Sequence, residues 1–499
     1  MVDPLVGSRS SGVVREIVQL RQGMQGLEQQ LATGRKSQTY AGLGTERSLS
    51  VAFRGDLARF ESYQSSITLV ELRLSITDQV LTRMDGVATE ARGSMDPNIY
   101  QLLGDGRTQG QATAYNLLGE TLSMLNSEAG GRHLFAGKDV SGKPVETINA
   151  IMDGEGNRAG FVQHRNERLQ ADSGDSGTGR LDVSQPVANQ VRLAEDGAHP
   201  FGLKISGVNN DLSNTAITGP SGTPSTFDID FTAQPVAGQA LKINLTLPDG
   251  SAQSVELVAA AAGQGGDGKF EIGATADETA ANLATALSSS LQKVTRIELG
   301  AASAIAAGTD FFDTANGGAP QRIDGPPFAS ATALRDGTES DTVFWYKGDN
   351  GTDPARSTAT ARIDDGLSIS YGARANEEAF RVLVQNLAVF SSGTYREGNQ
   401  DDEKQYSILA GKTLQSTSYP EGVQKLEQIA GELGAARSAA NNASTRHTAK
   451  SGTLQTLIDG IESADLSEVS VSLLTLQTRL EASYRATSIL FNMSLVNYI

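Results

Sequence analysis

The chain has 499 residues, no cysteine and a formal net charge of −17. Phosphate binding wants a basic face, so this balance excludes nucleic acid as a partner; the missing thiols exclude disulfides and thiolate metal sites. The length suits about three domains, but the content is only 38% hydrophobic and 5% aromatic, with one tryptophan, Trp345. Elongated or layered pieces are therefore expected rather than large cores. No window approaches roughly 18 unbroken apolar residues, so no membrane span is expected. The opening MVDPLVGSRSSG lacks the basic and apolar regions of a Sec-type signal peptide.

Val14 to Ala32 is expected to be a helix. Its apolar residues Ile17, Leu20, Met24, Leu27 and Leu31 recur at steps of three and four. Gly34 follows as a left-handed C-cap, and residues 34–47 read as a loop. A second helical tract spans Ser48 to Ser94, with Phe53, Leu57, Phe60, Tyr63, Ile67, Val70, Leu74, Leu81 and Met84 in a narrow stripe. At about 1.5 Å per residue it makes a rod of roughly 65–70 Å. Gly93 and Asp96-Pro97 stop it. A third helix fits Thr108 to Ala129.

The pattern changes at Gly130, and turn residues stay dense to about residue 345. Strand-like alternation marks Arg180–Val187, Phe227–Phe231, Ala240–Leu247, Ser254–Val258, Thr342–Lys347 and Thr358–Tyr371. A short helix fits Asp277 to Leu291, with Asp277 as its N-cap. Helical periodicity returns over Glu377–Phe390 and Val423–Ile461, and Asp465 reads as a cap or break.

The final stretch, Leu466 to Ile499, has neither Pro nor Gly. Leu466, Val469, Leu473, Leu476 and Leu480 follow coiled-coil spacing. The stripe then drifts by one position through Tyr484 to Phe491 and Leu495. Both terminal seams are too narrow to stand alone, so they are expected to pack on each other. The fold class is α+β: a long antiparallel helical bundle, coiled-coil-like, built from the N- and C-terminal segments, with an inserted β-rich domain. The bundle's far end is a candidate for association with other subunits.

Nothing in the chain composes an active site. The four histidines, His133, His164, His199 and His447, are scattered and read as surface or loop residues. Ala410-Gly411-Lys412-Thr413 ends like a phosphate-binding loop, but Tyr406 stands where its first glycine belongs. GQGGDGK at 263–269 reads as a turn. Asp364-Asp365-Gly366 reads as a tight turn, and Asp401-Asp402-Glu403 as a solvated helix start. No cofactor and no metal are expected.

Three stretches resemble the flagellin family. LEQQLATGRK (27–36) resembles the end of its first helix. The segment Gly131-Arg132-His133-Leu134-Phe135-Ala136-Gly137 is similar to one found in hook-associated members at the hook–filament junction. LQTRLEASYRATSILFNMSLVNYI (476–499), with Ala482, Ser483 and Tyr484, resembles their C-terminus. The loop after Gly34 departs from the family, because SQTYAGLGTERSLS lacks the usual Asn/Ser-Asp-Asp-Pro/Ala pattern.

The resemblance implies four parts. Residues 1–145 would be the N-terminal helical part of a flagellin-like core, and 146–205 a β-rich part of it. Residues 206–340 would be an inserted, variable β-rich outer domain with one or two short helices, and 341–499 the C-terminal β and helical part. It also implies a structural, non-enzymatic subunit, exported through the flagellar type III channel without a cleaved signal and self-associating into a ring or tube. Implied partners are another hook-associated protein, flagellin and an export chaperone that binds the C-terminal helix. The implied place is extracellular, at the hook–filament junction. Filament flagellin is the alternative within the family. From another class, a secreted adhesin would use the middle domain to bind.

Overall fold

The computed structural model describes residues 4–313 and 319–496, with side chains described within 12–489. In chain order, α1 (Pro4–Thr33), α2 (Arg47–Ser94), α3 (Gln109–Leu125), α4 (Ile148–Asp153) and α5 (Phe161–Ser173) come first. Eight strands follow: β1 (Leu181–Ser184), β2 (Gln190–Glu195), β3 (Lys204–Asn210), β4 (Thr215–Ser221), β5 (Thr226–Phe231), β6 (Ala240–Thr246), β7 (Ala252–Ala260) and β8 (Lys269–Glu271). Then come α6 (Ala276–Val294), α7 (Gly300–Phe312), β9 (Gln321–Ile323), β10 (Leu334–Asp336), β11 (Thr360–Asp364) and β12 (Leu367–Ser370). The chain closes with α8 (Glu378–Ser391), α9 (Gln400–Thr417), α10 (Leu426–Glu462) and α11 (Leu466–Val496). Long terminal helices with a β-rich centre make the fold α+β, as the periodicity predicts. The residues group into two compact units: 1–70, 361–369 and 438–499 in one, 71–360 and 370–437 in the other.

In the first unit α1 and α11 run antiparallel. The Ala464 N–H donates to the Gly34 carbonyl at 2.9 Å, and further along Arg21 lies over the Tyr484 ring at 6.0 Å. Gly34 caps α1 as expected, with φ of +67° and its N–H on the Gln30 carbonyl at 2.8 Å. Asp465 starts α11 by accepting from the Ser467 and Glu468 N–H groups at 2.9 and 3.3 Å. The N-terminal part of α2 runs against the C-terminal part of α10, where Gln64 donates to Ser444 at 2.6 Å and His447 stacks on Phe60 and Tyr63. The hairpin β11–β12 joins them, since the His447 Nε2 lies 2.7 Å from the Ile363 carbonyl. Its turn is Asp364-Asp365-Gly366, with Gly366 at φ +70°, as the sequence predicts.

The second unit combines a helical part and a sheet part. Leu81, Met84, Val87, Ala88 and Ala91 of α2 are buried, as are Leu118, Leu122 and Leu125 of α3 and Phe380, Leu383 and Leu387 of α8. Two four-stranded sheets, in orders β1-β2-β5-β4 and β3-β6-β7-β8, share one core with α6. Every pairing in them is antiparallel except β7 with β8. Strand β5 alternates cleanly: Phe227, Ile229 and Phe231 point inward, while Asp228 pairs across the sheet with Arg192.

Four expectations are corrected. Residues 146–205, read as β-rich, open with α4 and α5. The inward face of α5 is Phe161, His164, Glu167, Arg168, Ala171 and Asp172, a buried stripe that is half charged and carries no hydrophobic period. The helix read at Asp277–Leu291 is capped by Thr275, whose side chain accepts from the Glu278 N–H. It then continues through a π turn, Thr295–Leu299, into α7. That extension is buried nearly all round, so its sequence shows no stripe. Residues 342–347 form no strand; they make single bridges at Thr342 and Tyr346, with a bend at Trp345. Finally, His164, His199 and His447 are buried rather than surface residues.

Candidate assembly surface

The α1–α11 pair is built by the two seams read from the sequence. Ile17, Leu20, Met24 and Leu27 are half-buried along α1. Opposite them Leu473 and Leu476 are half-buried and Leu480 is buried, 8% exposed. Gly23 faces Leu476, and a Cβ there would make ordinary contact with the leucine Cδ1 at 3.6 Å. Leu31 stands off the covered line and is exposed. Beyond Leu480 the covered line continues through Ser483 and Thr487, which are small and polar. Ala482 is exposed, and Tyr484 turns outward at 41% exposure, with Arg21 over its ring. Phe491 and Leu495 lie on α11, but their side chains fall outside the described residues.

A second stripe was not read from the sequence. Val471 and Leu474 are 64% and 62% exposed, and Ile489 is exposed on the same helix. They are linked by Thr478, Ala482 and Arg485 at steps of three and four, so the signal was present but broken by non-apolar residues. Val14 and Val18 are likewise exposed on α1. Helices take most of their stability from packing an apolar face. A pair that buries one stripe and shows another offers its outer face to a partner.

Where α10 gives way to α11, Glu462 ties three segments together. Its carboxylate accepts from the Ser50 hydroxyl at 2.6 Å and from Arg54 Nε and Nη2 at 2.8 and 2.6 Å. Its backbone carbonyl accepts from the Lys36 N–H at 2.7 Å. The Arg54 guanidinium, helped by Ser50, holds the Glu462 carboxyl down to about 2. This junction leaves no sequence signal, because the partners are about four hundred positions apart.

The Gly131–Gly137 segment is a packed corner of the second unit. Phe135 is fully buried and meets Phe380 edge-on, with ring centres 5.4 Å apart. Arg132 Nη2 donates to the Gly137 carbonyl at 2.8 Å, and the Gly137 N–H donates to the Ala373 carbonyl at 3.1 Å. Gly131 and Gly137 have φ of +73° and +65°, and a Cβ at Gly137 would come within 2.7 Å of the Asp349 Cβ.

The weighed chemical motifs resolve into structure. Lys412 of Ala410-Gly411-Lys412-Thr413 lies inside α9 and pairs with Asp249, so no phosphate loop exists there. Asp401, Asp402 and Glu403 occupy the first turn of α9 behind the N-cap Asn399. Among the described residues no group of three His, Asp or Glu side chains converges to hold a metal. No described helix is long and apolar enough to cross a membrane.

Residues 420–499 match the family model for the bacterial flagellin C-terminal helical region. The matched stretch contains α10, the Glu462 junction and α11, and so most of the surface described above. It supports the flagellin family and a structural role in the flagellum for this chain. No curated protein matches the chain.

Proposed function

We propose that the chain is a structural subunit of the bacterial flagellum at the hook–filament junction, of the hook-associated protein 3 type. In this reading it leaves the cell through the type III channel and polymerises through α1 and α11. The observation that carries the reading is the exposed outer stripe of α11, Val471 and Leu474, within the flagellin-like C-terminal region. The Gly131–Gly137 corner supports the junction type, since its left-handed glycines and buried Phe135 account for Gly131, Phe135 and Gly137 of that motif. In the cytosol the same stripe would need a cover, which an export chaperone on α11 would supply. On assembly, neighbouring copies, flagellin and another hook-associated protein would replace it. The middle segment, 206–340, is then an outer domain.

Immunogold labelling of isolated flagella tests the position. A point label at the hook end supports the junction role. Labelling along the shaft would overturn it in favour of filament flagellin. Removing residues 466–499 should leave monomers that cannot join hook to filament.

A further inference from the structure

Residues 347–354 form an irregular loop of the second unit, exposed from Asn350 to Pro354. At its crest stands the dipeptide Asn350-Gly351. The Gly351 N–H donates to Asp349 Oδ1 at 2.9 Å. Asn376 Nδ2 approaches the Asn350 side-chain carbonyl oxygen at 3.4 Å. Arg374 fixes the frame: its Nη2 donates to Asp349 Oδ2 at 2.9 Å and its Nη1 to the Gly351 carbonyl at 2.6 Å. A carboxylate thus faces the one N–H next to an asparagine amide, and an amide donor faces the carbonyl that would be attacked.

We propose that Asn350 is a self-modification site, converted without an enzyme to aspartate and isoaspartate through a cyclic imide. The Gly351 backbone nitrogen attacks Cγ of Asn350 while Asp349 accepts the nitrogen's proton. Asn376 stabilises the negative charge that develops on the side-chain oxygen. The Cγ–Nδ2 bond breaks, and the amide nitrogen leaves as ammonia with the transferred proton. Water then opens the imide. Attack at the side-chain carbonyl gives aspartate; attack at the backbone carbonyl gives isoaspartate, with the chain rerouted through Cγ. Glycine at 351 permits ring closure because it has no Cβ to obstruct it. Either product places a new carboxylate next to the Arg374 frame. The isoaspartate also lengthens the backbone ahead of the Gly351 carbonyl that Arg374 holds.

The test is peptide mapping by mass spectrometry of the full-length folded chain incubated at neutral pH, alongside the same chain in denaturant. Asn350 should gain about one dalton, with isoaspartate and aspartate separating on chromatography, and should do so at least as fast folded as unfolded. Asn376→Ala should slow conversion about fivefold, as expected for losing one hydrogen bond to the transition state. Asp349→Asn should slow it further, with circular dichroism confirming the fold. Asn350 that stays intact in the folded chain while converting in denaturant overturns the proposal. Unchanged rates in Asn376→Ala and Asp349→Asn, or faster conversion in Asp349→Asn, overturn the roles given to those side chains.

Discussion

The sheets under α6 and the paired terminal helices carry similar apolar residues and cover them very differently. Phe227, Ile229, Leu241, Ile243, Leu283 and Leu287 come from three elements and are fully enclosed in the core that both sheets share with α6. On α11, Leu480 is covered by a single partner helix, while Val471 and Leu474, about two turns away, are open. A two-sided core closes within the chain. A two-helix seam can close only one stripe on each helix, so the other faces must be polar or have a partner. The outer line of α11 keeps Val471, Leu474 and Ile489 apolar and exposed.

That contrast predicts a division of mutational effects. Phe380→Ala, in the closed core beside Phe135, should cost about 3–5 kcal/mol of stability and lower the thermal midpoint strongly. The double change Val471→Asp and Leu474→Asp should leave monomer stability within about 1 kcal/mol of the parent, yet abolish polymerisation in sedimentation and electron microscopy. A monomer that unfolds with this change would break the contrast. Tyr484→Asp, at the point where the covered line turns polar, should likewise reduce assembly more than folding.

The charged stripe of α5 gives a pH test in the closed unit. Burial, with Arg322 and Arg168 nearby, depresses His164 from 6.5 to about 3. As pH falls below 6.5 the unfolded chain takes up a proton there and the folded chain does not. The histidine's contribution is therefore full above 6.5 and is lost toward 3, by about 1.4 kcal/mol per pH unit. Burial raises Asp310 to about 6, against the opposing pull of Arg168. Its folded form takes up the proton first, so its contribution grows as pH falls from about 6 toward 3.8. The two tilts oppose each other. Relative to the parent, His164→Leu should gain stability on acidification and Asp310→Asn should lose it, as read from denaturant midpoints at pH values between 6 and 4.

A smaller effect belongs to the Glu462 junction. Its carboxyl is held to about 2 in the fold, so its contribution is present above about 4.5 and disappears as pH falls toward 2. Glu462→Gln should cost about 1 kcal/mol, because Arg54 is partly exposed. The loss should appear as faster amide exchange at Lys36 and Ala464, with no change in the sheets.

How much of this was legible follows from what each element buries. The seams of α1, α2 and α11 could be read because one apolar stripe faces one partner. Gly34 and Asp465 could be read because cap geometry is local. Helix α5 was invisible because Arg168 meets Asp172 and Asp310, and Glu167 meets Arg322, in place of apolar contacts. Helix α7 was invisible for the opposite reason: it is buried nearly all round. Of the α1–α11 pair, the inner line from Ile17 to Leu27 and from Leu473 to Leu480 was read. The outer line through Val471 and Leu474 was missed because Thr478 and Arg485 interrupt it. The Glu462 junction depends on pairings that no local pattern encodes.

Hydrogen–deuterium exchange on the isolated subunit and on its polymer compares the two regions in one experiment. Amides of residues 466–489 should exchange quickly in the subunit and become strongly protected in the polymer, while those of 226–246 stay equally protected in both. Equal protection of 466–489 in both states would contradict the claim that α11 is completed by a neighbour.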